Sequence, residues 1–144
     1  MSNRNQSATG YSLQAPRRQT TALRQRPLEF HGKHPLSEIL EVGLPNGNVC
    51  YLTSVAMRAI AQFLCWETFM RGQYQRPGFE LQAGDTVIDV GANIGMFALW
   101  TEPQIPRGRL ICIEPNPRAL ECLRMNVCRK GLHNVIIVPA AAGS

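Results

Sequence analysis

Apolar positions recur at three different spacings along this chain. Ile39 to Leu44 and Val49 to Leu52 are short apolar-rich runs on either side of Pro45-Asn46-Gly47-Asn48. An Asn-Gly pair supplies the positive φ angles of a tight turn, so the pattern predicts a β-hairpin. Ser54 stands where a helix cap belongs. After it, Met57, Ile60, Ala61 and Leu64 fall at helical spacing and predict the buried stripe of a helix. That helix is expected to run towards Phe69 and stop before Gly72, with Phe63, Trp66 and Phe69 taken as packing aromatics.

From Gly84 the pattern turns to strand and helix in alternation. Thr86-Val87-Ile88-Asp89-Val90 is a β-branched run and predicts a buried strand. Gly91-Ala92-Asn93-Ile94-Gly95 is the turn after it. Met96, Phe97, Leu99 and Trp100 open a helix that Pro103 and Pro106 end. Arg109 to Ile113 predicts a second strand, finishing at Glu114. Asn116 is placed as an N-cap, with Pro117 at the first helical position. Ala119, Leu120, Leu123 and Val127 form the apolar face of this helix, and Gly131 stops it. Asn134 to Val138 predicts a third strand. Strand–helix–strand–helix–strand implies right-handed crossovers and a parallel sheet, hence an α/β, Rossmann-like fold.

Charge separates one segment from the rest. Of the 15 basic and 10 acidic residues, Arg4, Arg17, Arg18, Arg24, Arg26 and Lys33 lie in residues 1–35 with Glu29 alone opposing them. The whole +5 excess sits there, so residues 36–144 are neutral and carry no basic stripe for nucleic acid. Residues 1–35 are polar and Arg-rich, and read as a disordered tail before a domain at 36–144. His31 and His34 lack a third ligand and read as solvated side chains, so no metal is expected. No apolar run reaches the roughly 20 residues of a membrane span, and the N-terminus has no secretory h-region. Five cysteines without a CxxC motif read as reduced, core-packing thiols, which points to the cytoplasm.

In an open parallel sheet, ligands sit beyond the carboxyl ends of the strands. Two strand ends carry polar signals there: Asp89-Val-Gly91-Ala92-Asn93-Ile-Gly95, and Ile113-Glu114-Pro115-Asn116. The dinucleotide fingerprint G-x-G-x-x-G fails at its second glycine, where Asn93 stands, and the phosphate-loop lysine motif is absent. What remains is a nucleoside ligand with no required phosphate, and S-adenosyl-L-methionine fits. Glu114 is positioned to accept from both ribose hydroxyls. Asp89 can take the ammonium, and the backbone amides of Gly91 to Gly95 suit the carboxylate. Gly91 and Ala92 leave room beside the backbone. Another Rossmann-type ligand remains open on these residues alone.

The run from Gly84 to Gly95, followed by Ile113-Glu114-Pro115-Asn116-Pro117, resembles the FkbM family of S-adenosylmethionine-dependent methyltransferases. The likeness extends from about Leu44 to the C-terminus. It takes in Leu44-Pro45-Asn46-Gly47, Glu67-Thr68-Phe69, Tyr74, Pro77 to Leu81, Leu123 to Asn126, and Asn134-Val135. It implies the class I methyltransferase fold, with Asp89, Gly91, Asn93 and Gly95 as the cofactor loop, Glu114 as the ribose ligand and Asn116 beside the adenosine. It also implies O-methylation of a hydroxyl on a small molecule, sugar or lipid. A non-catalytic adenosylmethionine- or nucleoside-binding module is the alternative, and a nicotinamide-dinucleotide domain a weaker one.

The family's fourth strand and its acidic motif are not in this sequence, so the chain is expected to be the N-terminal half of such a domain. Thr86 to Val90 is then expected to be an open edge, with the apolar faces of Val87, Ile111 and Ile137 short of helical cover. The chain alone is expected to bind cofactor weakly or not at all, and to transfer no methyl group.

Overall fold

The computed structural model describes residues 38–143. The predicted tail and the His31–His34 pair lie outside them. Strands β1 (Leu40–Gly43) and β2 (Val49–Leu52) form the antiparallel hairpin, with Leu40 opposite Leu52 and Gly43 opposite Val49. Its turn differs from the expected one. Only Gly47 has positive φ, Gly47 N–H donates to Leu44 O at 3.0 Å, and Leu44 N–H donates to Asn48 O at 2.8 Å. Pro45 is the physical reason. A two-residue Asn-Gly turn would need an N–H from Pro45 to close the ladder, and proline has none. The closing pair moves outward to Leu44 and Asn48, and Gly47 takes the left-handed position after an ordinary turn.

Helix α1 (Arg58–Cys65) is preceded by a 3-10 turn, Val55–Met57, and widens into a π turn, Trp66–Met70. Ser54 precedes it in extended backbone, but its side chain makes no cap bond. Ala61 is buried, and Met57, Leu64 and Phe69 pack partly against the core. Phe69 therefore packs as expected, whereas Phe63 and Trp66 are exposed. One face of the helix meets the protein, and these two rings lie on the other, with the Arg71 guanidinium 5.8 Å from the Trp66 ring centre.

Strands β3 (Thr86–Val90), β4 (Arg109–Ile113) and β5 (Val135–Val138) make a parallel sheet in the order β3-β4-β5. Helices α2 (Met96–Thr101) and α3 (Pro117–Lys130) are the two crossovers. Both connections step the same way along the sheet, so right-handedness puts both helices on one face. The other face lacks helical cover among the described residues. Side chains alternate along a strand, which divides the expected bare positions. Val87 and Ile137 pack against the core after all. Ile111 shares the open face with its register neighbours Ile88 and Ile136, and with Val90, Ile113 and Val138 one pleat along. Ile88 is 60% and Val90 62% exposed. Strand β3 is an edge of the sheet, as expected.

The hairpin and α1 lie against the helix layer, β2 on α3 and α1 on α2. Leu52, Leu99, Leu110, Cys122 and Leu123 belong to the shared core. Pro103 has a second effect here. The Leu99 carbonyl would receive the N–H of residue 103 in a continuing helix, and Pro103 offers none. Asn46 Nδ2 at 3.2 Å and Asn48 Nδ2 at 3.1 Å donate to it instead. The hairpin turn is thereby docked on α2.

Candidate cofactor crevice

The crevice forms where β3 and β4 end side by side, with Asp89 beside Cys112 and Val90 beside Ile113 in register. Gly91 has φ +81°, and the space a Cβ would occupy there is open for 4 Å. Gly95 has φ +87°, and a Cβ would lie 2.7 Å from Leu123 Cδ1 of α3. The first glycine leaves room in front of the loop, and the second lets the loop sit on α3. Ala92 is buried. Asn93 has φ +51°, the only positive φ at a non-glycine among the described residues. Asparagine tolerates this region better than most residues, so the loop keeps a glycine-like path while gaining a side chain.

Glu114 is 6% exposed. Its Oε2 accepts the Asn93 N–H at 2.8 Å, and its Oε1 accepts the Asn116 N–H at 2.8 Å. The acid thus ties both strand-end loops together. Each carboxylate oxygen has further lone-pair capacity for a hydroxyl. Asn116 is exposed and caps α3, its Oδ1 accepting from Arg118 N at 2.9 Å and from Ala119 N at 3.5 Å. Pro117 opens the helix, and Gly131 closes it at φ +64°.

Four of the five loop amides expected to face the carboxylate have partners within the protein. Gly91 and Ala92 donate to Ile113 O at 2.8 and 3.0 Å, Asn93 donates to Glu114, and Gly95 donates to Ala92 O at 2.9 Å. The loop spends these four donors on its own shape. What it leaves unpartnered are acceptors: Asp89 Oδ2 and Asn93 Oδ1 are buried with no hydrogen bond. Burial, and then the charge of Glu114, push Asp89 up to about 6. Burial and the carboxylate of Asp89 push the Cys112 thiol up to about 12, so it stays neutral beside the site. Orphaned acceptors next to two carboxyl groups favour a ligand that brings hydrogen-bond donors and positive charge.

Two residues absent from the sequence-based site bear on it. Tyr74 packs against Phe97 with the rings tilted by 58° and their centres 4.6 Å apart, and the pKa of its hydroxyl is raised by burial and then by the charges of Glu67 and Asp89. Its neighbourhood comes from the chain's return past α2, which no local pattern encodes. Asn126 is buried on α3 and touches the loop. It did carry a signal, as a polar residue inside the apolar stripe of that helix. His133 is exposed in the turn before β5, at the edge of the sheet opposite the crevice. Among the described residues no group of three or more His, Cys, Asp or Glu could hold a metal ion. None of their helices is long and apolar enough to cross a membrane. All five cysteines are free thiols.

The three parallel strands, their one-sided helices and the acid-lined glycine turn define a Rossmann-like α/β unit. Over 96 residues, 65% of the chain, it is 41% identical to the 31-O-demethyl-FK506 methyltransferase FkbM of Streptomyces tacrolimicus. It is also 36% identical over 76 residues, 53% of the chain, to the AMB antimetabolite synthetase AmbE of Pseudomonas aeruginosa. The chain spans 35% of the length of the first relative and 3% of the second. Among solved structures, the precorrin-6y C5,15-methyltransferase of Geobacter metallireducens aligns with a TM-score of 0.41 and 30% identity, over 44% of this chain and 34% of that one. No family model matches the chain.

Proposed function

We propose that this chain carries the cofactor-binding portion of an S-adenosyl-L-methionine-dependent methyltransferase, and that the whole protein O-methylates a hydroxyl of a small molecule, sugar or lipid. The observation that carries the reading is the pair of orphaned acceptors, Asp89 Oδ2 and Asn93 Oδ1, beside a Glu114 that still has lone pairs to offer. The residues fit the cofactor. Glu114 would accept from the ribose hydroxyls, Asp89 and Asn93 would face the ammonium, and Gly91 with Ala92 would leave the ligand its room. Asn116 would stay at the adenosine end, its side chain already engaged in the helix cap. When bound, the cofactor supplies an activated methyl group on a sulfonium, so the protein's part is to position it and keep water away. The FkbM relative, a methyltransferase of a 31-O-demethyl compound, supports an oxygen acceptor. The cytoplasm is the proposed location, on the free thiols.

Ultraviolet crosslinking of radiolabelled S-adenosylmethionine to Met1–Ser144 tests the reading, and it registers weak binding as well as strong. Label should attach to the chain, be displaced by S-adenosylhomocysteine but not by NAD, and be lost in Glu114→Ala. Displacement by NAD at equal concentration would place the chain among dinucleotide-binding domains instead.

A further inference from the structure

The glycine loop is held at three places, and only two belong to the strand ends. Ile113 O takes the amides of Gly91 and Ala92, and Glu114 takes that of Asn93. The third hold comes from α3. Asn126 is 1% exposed, and its Nδ2 donates to the Ile94 carbonyl at 2.8 Å. Ile94 is itself fully buried, so its carbonyl needs a protein donor. It also lies between the two left-handed residues Asn93 and Gly95, and the peptide plane that carries it leads directly into the positive φ of Gly95. The same side chain grips the hairpin. Asn126 Oδ1 accepts the Tyr51 N–H at 2.6 Å, and Nδ2 also reaches Tyr51 O at 3.2 Å and Cys50 Sγ at 3.5 Å. A single amide therefore joins α3, the outer hairpin and the loop that lines the crevice.

We infer that Asn126 is a positioning residue for the cofactor loop: by holding the Ile94 carbonyl it fixes the left-handed turn that aims Asn93 into the crevice. The inference rests on the cofactor reading given above. A buried amide whose oxygen and nitrogen are both used cannot be replaced without orphaning a partner on either the loop or the hairpin. Asn126→Asp weighs unequally on the two roles. It keeps the acceptor for the Tyr51 N–H, so the shorter hairpin bond survives, and it turns an oxygen against the carbonyls of Ile94 and, at longer range, Tyr51, so the loop loses its one bond from this side chain. Asn46→Ala with Asn48→Ala is the complementary control, since it undocks the hairpin turn from α2 without touching the loop.

The test combines amide hydrogen exchange with S-adenosylhomocysteine titration of the full chain, at temperatures where circular dichroism reports each variant folded. Asn126→Asp should raise exchange at Asn93 and Gly95 and weaken S-adenosylhomocysteine binding by about tenfold or more. The Asn46/Asn48 pair should lower thermal stability while leaving affinity within about twofold. Should Asn126→Asp not fold, Asn126→Ser, which keeps a small polar group, is read the same way. Folded Asn126 variants that bind as wild type does, or faster exchange confined to Tyr51 and the hairpin, would overturn the positioning role. A wild-type chain that binds no S-adenosylhomocysteine would overturn the cofactor reading instead, and the exchange pattern alone would then decide whether Asn126 holds the loop.

Discussion

Asp89 is a buried acid whose neighbours oppose its charge. Its pKa, near 3.8 in the open chain, rises to about 6 through burial and the charge of Glu114. The folded state therefore binds the proton more readily than the unfolded state does. Stability is gained as pH falls through about 6 towards 4, and lost as pH rises through that window. Asp89→Asn removes the charge, so it should stabilise the unliganded protein at pH 7.5 by about 1–3 kcal/mol, a gain that vanishes below about pH 4. Urea denaturation at the two pH values measures this. The cofactor's ammonium reverses the balance by favouring the carboxylate. Wild-type affinity should fall as pH drops below about 6, and Asp89→Asn should lose that dependence. Glu114 meets a different constraint, because both its oxygens face backbone N–H groups. Glu114→Gln must turn an NH₂ towards Asn93 or Asn116, and should cost about 1–3 kcal/mol of stability before any ligand is added. Unchanged thermal stability would show that these contacts are dispensable.

At the scale of elements, the two loop glycines are expected to fail for different reasons. A Cβ at Gly91 meets nothing, whereas one at Gly95 crowds Leu123 of α3. Both positions have positive φ, which alone costs a side chain about 1–2 kcal/mol. Gly95→Ala should lower thermal stability more than Gly91→Ala does. Gly91→Val should leave a foldable chain that no longer crosslinks to adenosylmethionine. Helix α3 was fully legible in the sequence, because Asn116, Pro117 and Gly131 each act on their own backbone. The hairpin was legible in its strands but not in its turn, where the missing N–H of Pro45 outweighed the Asn-Gly pair. The exposed Phe63 and Trp66 were misread because composition says a ring is apolar without saying which face of the helix meets the core. Glu114 was legible as a strand-end acid. Its grip on the loop amides was not, since that depends on how two loops lie side by side.

At the scale of the molecule, the sheet has helices on one side only among the described residues. Ile88, Val90, Ile111, Ile113, Ile136 and Val138 form an apolar surface, and β3 offers unpaired backbone groups along one edge. Such a surface favours association in water. Ile88→Lys with Val90→Lys should shift the chain towards monomer in sedimentation velocity without changing its helix content. Equal association in the variant would mean that another surface, such as the one carrying Phe63, Trp66 and Met70, holds the copies together. The crevice lies at the carboxyl ends of β3 and β4, so its loop contacts do not depend on the open face being covered.

The most direct measurement is a ¹⁵N-resolved titration of the chain with S-adenosylhomocysteine, which locates weak binding residue by residue. Amide shifts are expected at Gly91 to Gly95, Glu114 and Asn116, with no matching pattern from NAD. Shifts confined to residues away from these two strand ends, or the same pattern of shifts from NAD, would contradict the cofactor site.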